Sequence, residues 1–360
     1  MYLVKISFLT CLLISGVISY SQSDTISEIP DTVSIEYFDV FQEVDPIYPE
    51  DPLVLFIEMD MKKFYKSKYK DESVPADLTL VLQDSILYTK KIKIKPRGEF
   101  RKSHCIFPPI EIKFAKSDTD NIFTEEGNKL KLVTHCKNVS IYEQYVLKEY
   151  LCYKMYNLLT DYSFRVRLLE IHYIDKLGKK KPVTKYGFIV ESNKSLASRI
   201  NAYPVKLTGI PLNKTDFDIG NIMAVFQYLI GNPDWVVSAL HNVKLYKLID
   251  PLKFDPVPVP YDFDYSGMVN TDYAVPDEKL GITSVRQRVY MGYCIPEEDL
   301  RKVLDYYIQN KDHFYALVNN CGLLNNFHKN EMLIYMNEFF EVIENPFRVK
   351  TDIESTCKRQ

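Results

Sequence analysis

Lys91-Ile92-Lys93-Ile94-Lys95 alternates basic and apolar residues with a period of two, and Pro96-Arg97-Gly98 follows directly. This alternation is typical of a strand with one face in the core and the other in solvent. Proline and glycine then predict a turn. The same pattern recurs at Ile110–Phe114 and starts again at Leu130–Val133, and a short apolar run at Leu53–Ile57 predicts a buried strand. The first part of the chain is therefore expected to be rich in antiparallel strands.

One long helix interrupts these strands. From Ile141 to Leu159, apolar residues recur every three or four positions, which is the spacing of one helix face. Ser140 followed by Glu143 has the arrangement of a capping box. Two further strands, Val166–Ile174 and Tyr186–Val190, predict a hairpin. Because strands and helices do not alternate regularly, the sequence argues against a doubly wound sheet.

The second part of the chain is mostly helical. The predicted secondary structure therefore changes near residue 192, and we expect an α+β protein of two lobes. The strand-rich N-lobe covers residues 51–192, the helix-rich C-lobe covers residues 193–347, and a tail follows at 348–360. The predicted helices are Asp218–Ile230, Pro296–Gln309, Asp312–Asn319 and Asn325–Ile343, and the predicted strands are Val243–Leu248 and Val257–Tyr261.

The N-terminus has the pattern of a secretory signal. Lys5 precedes an apolar run from Ile6 to about Val17, and Ser19-Tyr20-Ser21 suits signal peptidase. Residues 1–21 are therefore predicted to be a signal peptide and residues 22–50 a solvated leader. We expect an exported protein, periplasmic or extracellular, with no stable membrane insertion after cleavage. The alternative is an uncleaved anchor, for which the apolar run is short.

The cysteines and the charge balance limit the function classes. Of seven cysteines, Cys11 lies in the predicted signal; the other six permit up to three disulfides, whose pairing the spacing leaves open. No C-x-x-C spacing supports a zinc site. The 45 Lys and Arg against 48 Asp and Glu give a net charge of -3, so no nucleic-acid partner is expected. Serine-hydrolase, zincin and Walker-type motifs are missing.

Two segments of the second half carry oxygen ligands at strand ends. The first is Gly231-Asn232-Pro233-Asp234, followed by His241-Asn242, and the second is Pro260-Tyr261-Asp262-Phe263-Asp264. Asp234, Asn242 and Asp262 together have the groups needed to bind Mg²⁺ and orient a hydroxyl nucleophile. The sequence therefore predicts a phosphoryl-transfer site.

The order of these motifs resembles a known family. An Arg-Gly turn, then G-N-x-D, then H-N with the Asn eight residues after that Asp, and then P-x-D-x-D is similar to the spore coat protein H (CotH) kinase-like family, over roughly residues 90–270. The resemblance implies an atypical protein-kinase-like fold, with an antiparallel-sheet N-lobe that includes one long helix. It also implies transfer of a phosphoryl group from ATP, with Mg²⁺, to a protein Ser/Thr or another hydroxyl-bearing acceptor.

The resemblance also implies roles for single residues. Asp234 matches the aspartate that accepts the hydroxyl proton. Asn242 and Asp262 match the metal ligands, and Asp264 is either a second metal ligand or a structural acid.

On the nucleotide side, Arg97 and Gly98 match the turn before the nucleotide. Lys131 is the candidate for the phosphate-contacting lysine, with Lys113 as its rival. Glu143 or Glu149 on the long helix is expected to pair with that lysine, and Glu191 matches a glutamate at the end of a family strand.

A second function stays open at this point. Arg97-Gly98-Glu99-Phe100-Arg101 contains one glycine where a glycine-rich nucleotide loop is expected. A catalytically inactive binding or envelope-assembly protein is therefore the alternative, and transfer of AMP is a third reading. Two of the site residues also have a purely structural interpretation. Asp234 can be a simple turn residue, and Lys131 can belong to the solvent-exposed face of a strand.

Overall fold

The structure is a computed structural model that describes residues 40–41, 45–49, 51–82, 85–116, 123 and 128–359. The predicted signal peptide and most of the predicted leader lie outside the described residues. All of the described residues belong to one compact unit.

Ten strands and nine helices lie in the described residues. The strands are β1 (Leu53–Met59), β2 (Val74–Leu82), β3 (Ser85–Pro96), β4 (Ile110–Lys113), β5 (Lys129–Val133), β6 (Val166–Asp175), β7 (Val183–Val190), β8 (Ala202–Val205), β9 (Val243–Leu248) and β10 (Val257–Pro260). The helices are α1 (Met61–Ser67), α2 (Glu99–His104), α3 (Ile141–Leu159), α4 (Asn193–Arg199), α5 (Phe217–Ile230), α6 (Glu297–Gln309), α7 (Lys311–Asn320), α8 (Asn326–Ile343) and α9 (Pro346–Arg348).

The first seven strands close into a barrel in the order β1-β2-β3-β4-β5-β7-β6. All neighbours are antiparallel except β1 and β6, which run parallel from the pair Leu53↔Leu169 to the pair Met59↔Asp175. The expected two-lobed, kinase-like fold with an antiparallel-sheet N-lobe is therefore wrong. The strands form a closed mixed barrel, accompanied by a small three-stranded sheet and helices.

The barrel closes because its inward-facing residues form one apolar core. On β1, Leu53, Leu55, Ile57 and Met59 are buried and alternate with more exposed residues. Closure pairs β1 with a strand more than 100 positions away along the chain and leaves neither strand as an open edge. Local alternation predicts each strand but not its distant partner, and for this reason the sequence indicated a sheet where the structure has a barrel.

Helix α3 has the predicted bounds, Ile141 to Leu159. It contacts β6 and β7 of the barrel on one side and helices α5 and α7 on the other. The predicted capping box is wrong, since Ser140 has helical backbone angles and its side chain makes no capping hydrogen bond. Packing on both sides, rather than its cap, therefore stabilises this helix.

The C-terminal part contains the small sheet and most of the helices. The sheet has the strand order β10-β9-β8, and α5 packs against β10. The predicted helices and strands of this part are confirmed with bounds that differ by at most one residue. No helix among the described residues is both long and apolar enough to cross a membrane.

Two disulfides resolve the pairing that the sequence left open. Cys105, directly after α2, is bonded to Cys136 in the segment between β5 and α3. Cys294, before α6, is bonded to Cys357 near the C-terminus. The remaining thiols of the described residues, Cys152 and Cys321, are buried and free.

We expect the double variants Cys105→Ser/Cys136→Ser and Cys294→Ser/Cys357→Ser each to lose about 2–4 kcal/mol of unfolding free energy. The bonds close loops with sequence separations of 31 and 63 residues, so opening either one frees the unfolded chain. Urea unfolding of the oxidised proteins measures the loss, and reduced wild type provides the comparison. Unfolding free energies equal to that of the oxidised wild type would contradict the expectation.

Candidate active site

A cleft of about 420 Å³ gathers most of the predicted site residues. It is bordered by the loop from β3 into α2, the strand β5, the helix α3 and the loops on either side of the β9–β10 pair. Seven of the nine predicted site residues line it, and these are Arg97, Gly98, Lys131, Asp234, Asn242, Asp262 and Asp264.

Asn242 and Asp262 come together because they lie at the same end of an antiparallel pair. Asn242 directly precedes β9 and Asp262 follows β10, with Val243 opposite Pro260. The Tyr261 amide donates a hydrogen bond of 3.0 Å to the Asn242 carbonyl. Both site residues have left-handed backbone conformations, with φ of 52° and 65°, which are uncommon for residues other than glycine. Such conformations are concentrated at functional sites.

Asp234 reaches the same place from the end of α5. Gly231, with φ of 61°, ends that helix in the left-handed conformation, and the Asn232 side chain accepts a hydrogen bond of 3.0 Å from the Asp234 amide. The Asp234 carboxylate contacts His241 Nε2 at 2.7 Å and accepts from Asn242 Nδ2 at 2.9 Å. These bonds fix the direction of the carboxylate toward the cleft.

The deeper acids of the cleft share one buried arginine. Arg101 Nη1 lies 3.9 Å from Asp264 Oδ2 and 4.0 Å from Glu149 Oε2. Burial would lower the pKa of Arg101, but Tyr273 and these two acids outweigh it and raise the pKa. Burial, with the neighbouring Asp262, raises the pKa of Asp264 to about 7. Burial also raises the pKa of Glu149 well above its usual value. Besides its contact with Arg101, the Asp264 side chain accepts a 2.9 Å hydrogen bond from the Tyr273 hydroxyl.

Three cations also line the cleft: Arg97, Lys131 and Lys244. Burial, followed by the charges of Arg97 and Lys244, lowers the pKa of Lys131 to about 8, and Asp262 opposes this effect. Lys113, the rival candidate, instead pairs with Glu111 at 3.3 Å and is not among the residues that line the cleft. Of the two candidate lysines, Lys131 is thus the one that the fold brings to the predicted site.

Two oxygen ligands of the cleft, from Asp262 and Asn242, fit a metal ion whose other coordination positions are filled by substrate and water. The Asp262 carboxylate forms no hydrogen bond or ion pair with any of the described residues. Asn242 donates two hydrogen bonds through Nδ2, and its Oδ1 accepts none from these residues. In the described part of the chain, no group of three or more His, Cys, Asp or Glu side chains is arranged to hold a metal. One carboxylate with one amide oxygen matches Mg²⁺, which commonly takes one or two protein ligands and completes its shell with phosphates and water.

Two predicted residues lie away from the cleft. Glu143 pairs with Lys185 of β7 at 2.5 Å. Glu191 is buried and binds Arg199 through two hydrogen bonds of 3.0 and 2.8 Å, and it also accepts from the Arg165 amide. Both glutamates therefore hold neighbouring elements together rather than facing the site.

Sequence reasoning missed Arg101 and Lys244. Arg101 lies three residues after Gly98, in a segment where the sequence analysis looked for a glycine-rich nucleotide loop and the structure has the helix α2. Lys244 is two residues after Asn242 on a strand that was predicted, so its position next to a predicted metal ligand was the available signal. Glu149, one of two candidates on the long helix, pairs with Arg101 and not with Lys131.

No protein-family model matches the chain, and the search of curated proteins finds no match. The interpretation of the cleft therefore depends on its own geometry and on the motif resemblance.

We expect the Asp264→Asn variant to gain stability relative to wild type as the pH rises from about 4 to about 7. The native state of the wild type holds the Asp264 proton up to a pKa of about 7, whereas the unfolded carboxyl releases it near about 4. The native state therefore binds more protons over this range, and wild-type unfolding free energy falls with rising pH. The asparagine does not titrate. Urea unfolding at several pH values without Mg²⁺ measures the difference; a constant difference would contradict the assignment.

Proposed function

We propose that this protein transfers the terminal phosphoryl group of Mg-ATP to a hydroxyl group of an acceptor, such as a protein Ser or Thr. One observation carries the proposal. The cleft sets the unpaired carboxylate of Asp262 and the free amide oxygen of Asn242 beside the cations Arg97 and Lys131. Ligands for a metal and ligands for phosphate in one cleft suit a metal-bound polyphosphate.

Different residues of the cleft have different roles in this reaction. Mg²⁺, when bound, neutralises charge on the phosphates, and Asp262 with Asn242 Oδ1 would hold it. Arg97 and Lys131 bind the phosphate oxygens. The acceptor oxygen forms a bond to the γ-phosphorus while the bond from that phosphorus to the β–γ bridging oxygen breaks, and ADP leaves. Asp234 accepts the hydroxyl proton and passes it to solvent.

The hydrogen bonds of Asp234 support its role as the base. His241 and Asn242 each occupy one side of a different carboxylate oxygen, so each oxygen keeps a further lone pair for the proton. Because the carboxylate is fixed before substrate binds, no reorientation is needed during transfer. The motif resemblance to the CotH kinase-like family supports the same assignment.

We propose further that the protein acts outside the cytoplasm. The N-terminal signal pattern supports export, and two disulfides are compatible with an oxidising compartment. The acceptor is then a hydroxyl-bearing molecule of the envelope or of the exterior.

A second candidate function is binding without turnover. It is favoured by the single glycine in the loop between β3 and α2, where glycine-rich phosphate loops usually offer several backbone amides. The same cleft would then hold a nucleotide as a structural ligand in envelope assembly. The two functions differ in turnover and share the metal and phosphate contacts.

We expect Asp262→Asn to lose most of the thermal stabilisation that Mg-ATP gives to wild type, because the variant lacks the free carboxylate for the metal. Melting temperatures with and without Mg-ATP measure the effect. Asp255→Asn, at an exposed position outside the cleft, is the matched control and should keep the full shift. An equal shift in both variants would contradict the metal role of Asp262.

We expect Asp234→Asn to lower phosphoryl transfer about 10²–10⁴-fold, the usual contribution of a general base. Transfer from γ-labelled ATP to dephosphorylated casein measures this. The variant should still be stabilised by Mg-ATP, which shows that its cleft is intact. Transfer of label from α-labelled ATP would replace the proposal with AMP transfer, and stabilisation without any transfer by wild type would favour the binding protein.

A further inference from the structure

Lys244 is a charged residue of the cleft for which the proposed reaction has so far no use. It lies on β9, two residues after Asn242, and its side chain lines the cleft. None of the hydrogen bonds or ion pairs in the described part of the chain involves Lys244 Nζ, which lies 5.0 Å from the centroid of the Tyr261 ring. A cation–π contact leaves all three N–H donors of the ammonium free for a ligand.

The neighbours of Lys244 make this position unfavourable without a ligand. Burial, and after it the charges of Arg97 and Lys244, lowers the pKa of Lys131. Like charges brought together in a cleft repel one another more strongly than in water. Two nearby lysines are instead paired with acids, Lys113 with Glu111 and Lys185 with Glu143. Three cations without acidic partners in one cleft therefore indicate a site for an anion with several negative groups.

The loop before α2 shows why side chains are needed here. Between β3 and α2 there is one glycine, Gly98, and the Arg97 amide is already bonded to the Pro109 carbonyl at 2.9 Å. This loop does not offer the row of free amides that binds phosphates in glycine-rich loops. Guanidinium and ammonium groups provide the alternative, since both bind phosphate oxygens strongly.

We propose that Lys244 is a phosphate-binding residue, and that Arg97, Lys131 and Lys244 together bind a triphosphate chain in place of a glycine-rich loop. This inference rests on the proposed function, and it deepens it by naming the side chains that bind the triphosphate of the donor. Lys244 lies next to Asn242 in the chain, whereas Arg97 and Lys131 belong to the barrel. The three cations therefore reach the phosphates from both sides of the cleft, and a shorter anion engages fewer of them.

Inorganic polyphosphates test the proposal without the nucleoside. Binding of tripolyphosphate and of pyrophosphate, each with excess Mg²⁺, is measured by calorimetry for wild type, Lys244→Met and Lys247→Met. Methionine keeps an apolar stem of similar length and removes the charge. Lys247 is the matched control, because it lies on the same strand and instead contacts the carbonyl of Lys253 outside the cleft. Lys244→Arg tests whether a cation at this position is sufficient.

We expect wild type to bind tripolyphosphate more tightly than pyrophosphate. Lys244→Met should weaken tripolyphosphate binding about tenfold or more, the effect of losing one charge-assisted contact. It should weaken pyrophosphate binding less, while Lys247→Met stays within about twofold of wild type and Lys244→Arg retains most of the affinity.

Equal affinities of Lys244→Met and Lys247→Met, with wild-type binding intact, would overturn the role of Lys244 and leave the proposed function standing. Absence of binding of either anion to wild type would overturn both. Thermal unfolding of the free proteins checks that the variants are folded. If Lys244→Met is destabilised, Lys244→Arg decides the test. Retained tripolyphosphate binding in this variant supports the proposal, and loss of that binding in a folded Lys244→Arg contradicts it.

Discussion

Two adjacent ionisable residues at the centre of helix α3 constrain much of the structure. Lys148 and Glu149 are both buried, and a buried ionisable group needs a polar partner to offset its desolvation. Lys148 Nζ lies 3.0 Å from Glu331 of α8, while the Glu149 carboxyl lies 4.0 Å from the guanidinium of Arg101 of α2. Helix α3 therefore contacts the C-terminal helices through one polar pair and the segment that follows β3 through the other.

This arrangement determines which groups of the cleft remain available. Arg101 is occupied by Glu149 and Asp264, so it leaves Asp262 without a partner. On the other wall, Arg97 and Lys131 have no carboxylate within ion-pair distance in the described part of the chain. Unpaired charges of both signs therefore face one space. A ligand that carries both a cation and phosphates satisfies both walls at once, and such a ligand is the substrate of the proposed reaction.

Part of the site was predictable because its residues lie at the ends of regular elements. Asn242 and Asp262 border two strands that the sequence predicted, and pairing of neighbouring strands brings such ends together. The choice on the long helix was not predictable in the same way. Glu143 and Glu149 are six residues apart, which places them about 120° apart around a helix. Only the packing of α3 decides that Glu149 faces Arg101 while Glu143 faces Lys185 of β7.

Local patterns in the chain therefore specify its helices and strands, including α3 from Ile141 to Leu159, because periodicity reports which side of each element is buried. Long-range contacts specify the rest: the parallel pairing of β1 with β6 that closes the barrel, the bond between Cys105 and Cys136, and the burial of Arg101. Each of these joins segments that are distant along the chain. Their partners are selected by the shape and charge of the folded core, which no short stretch of sequence contains.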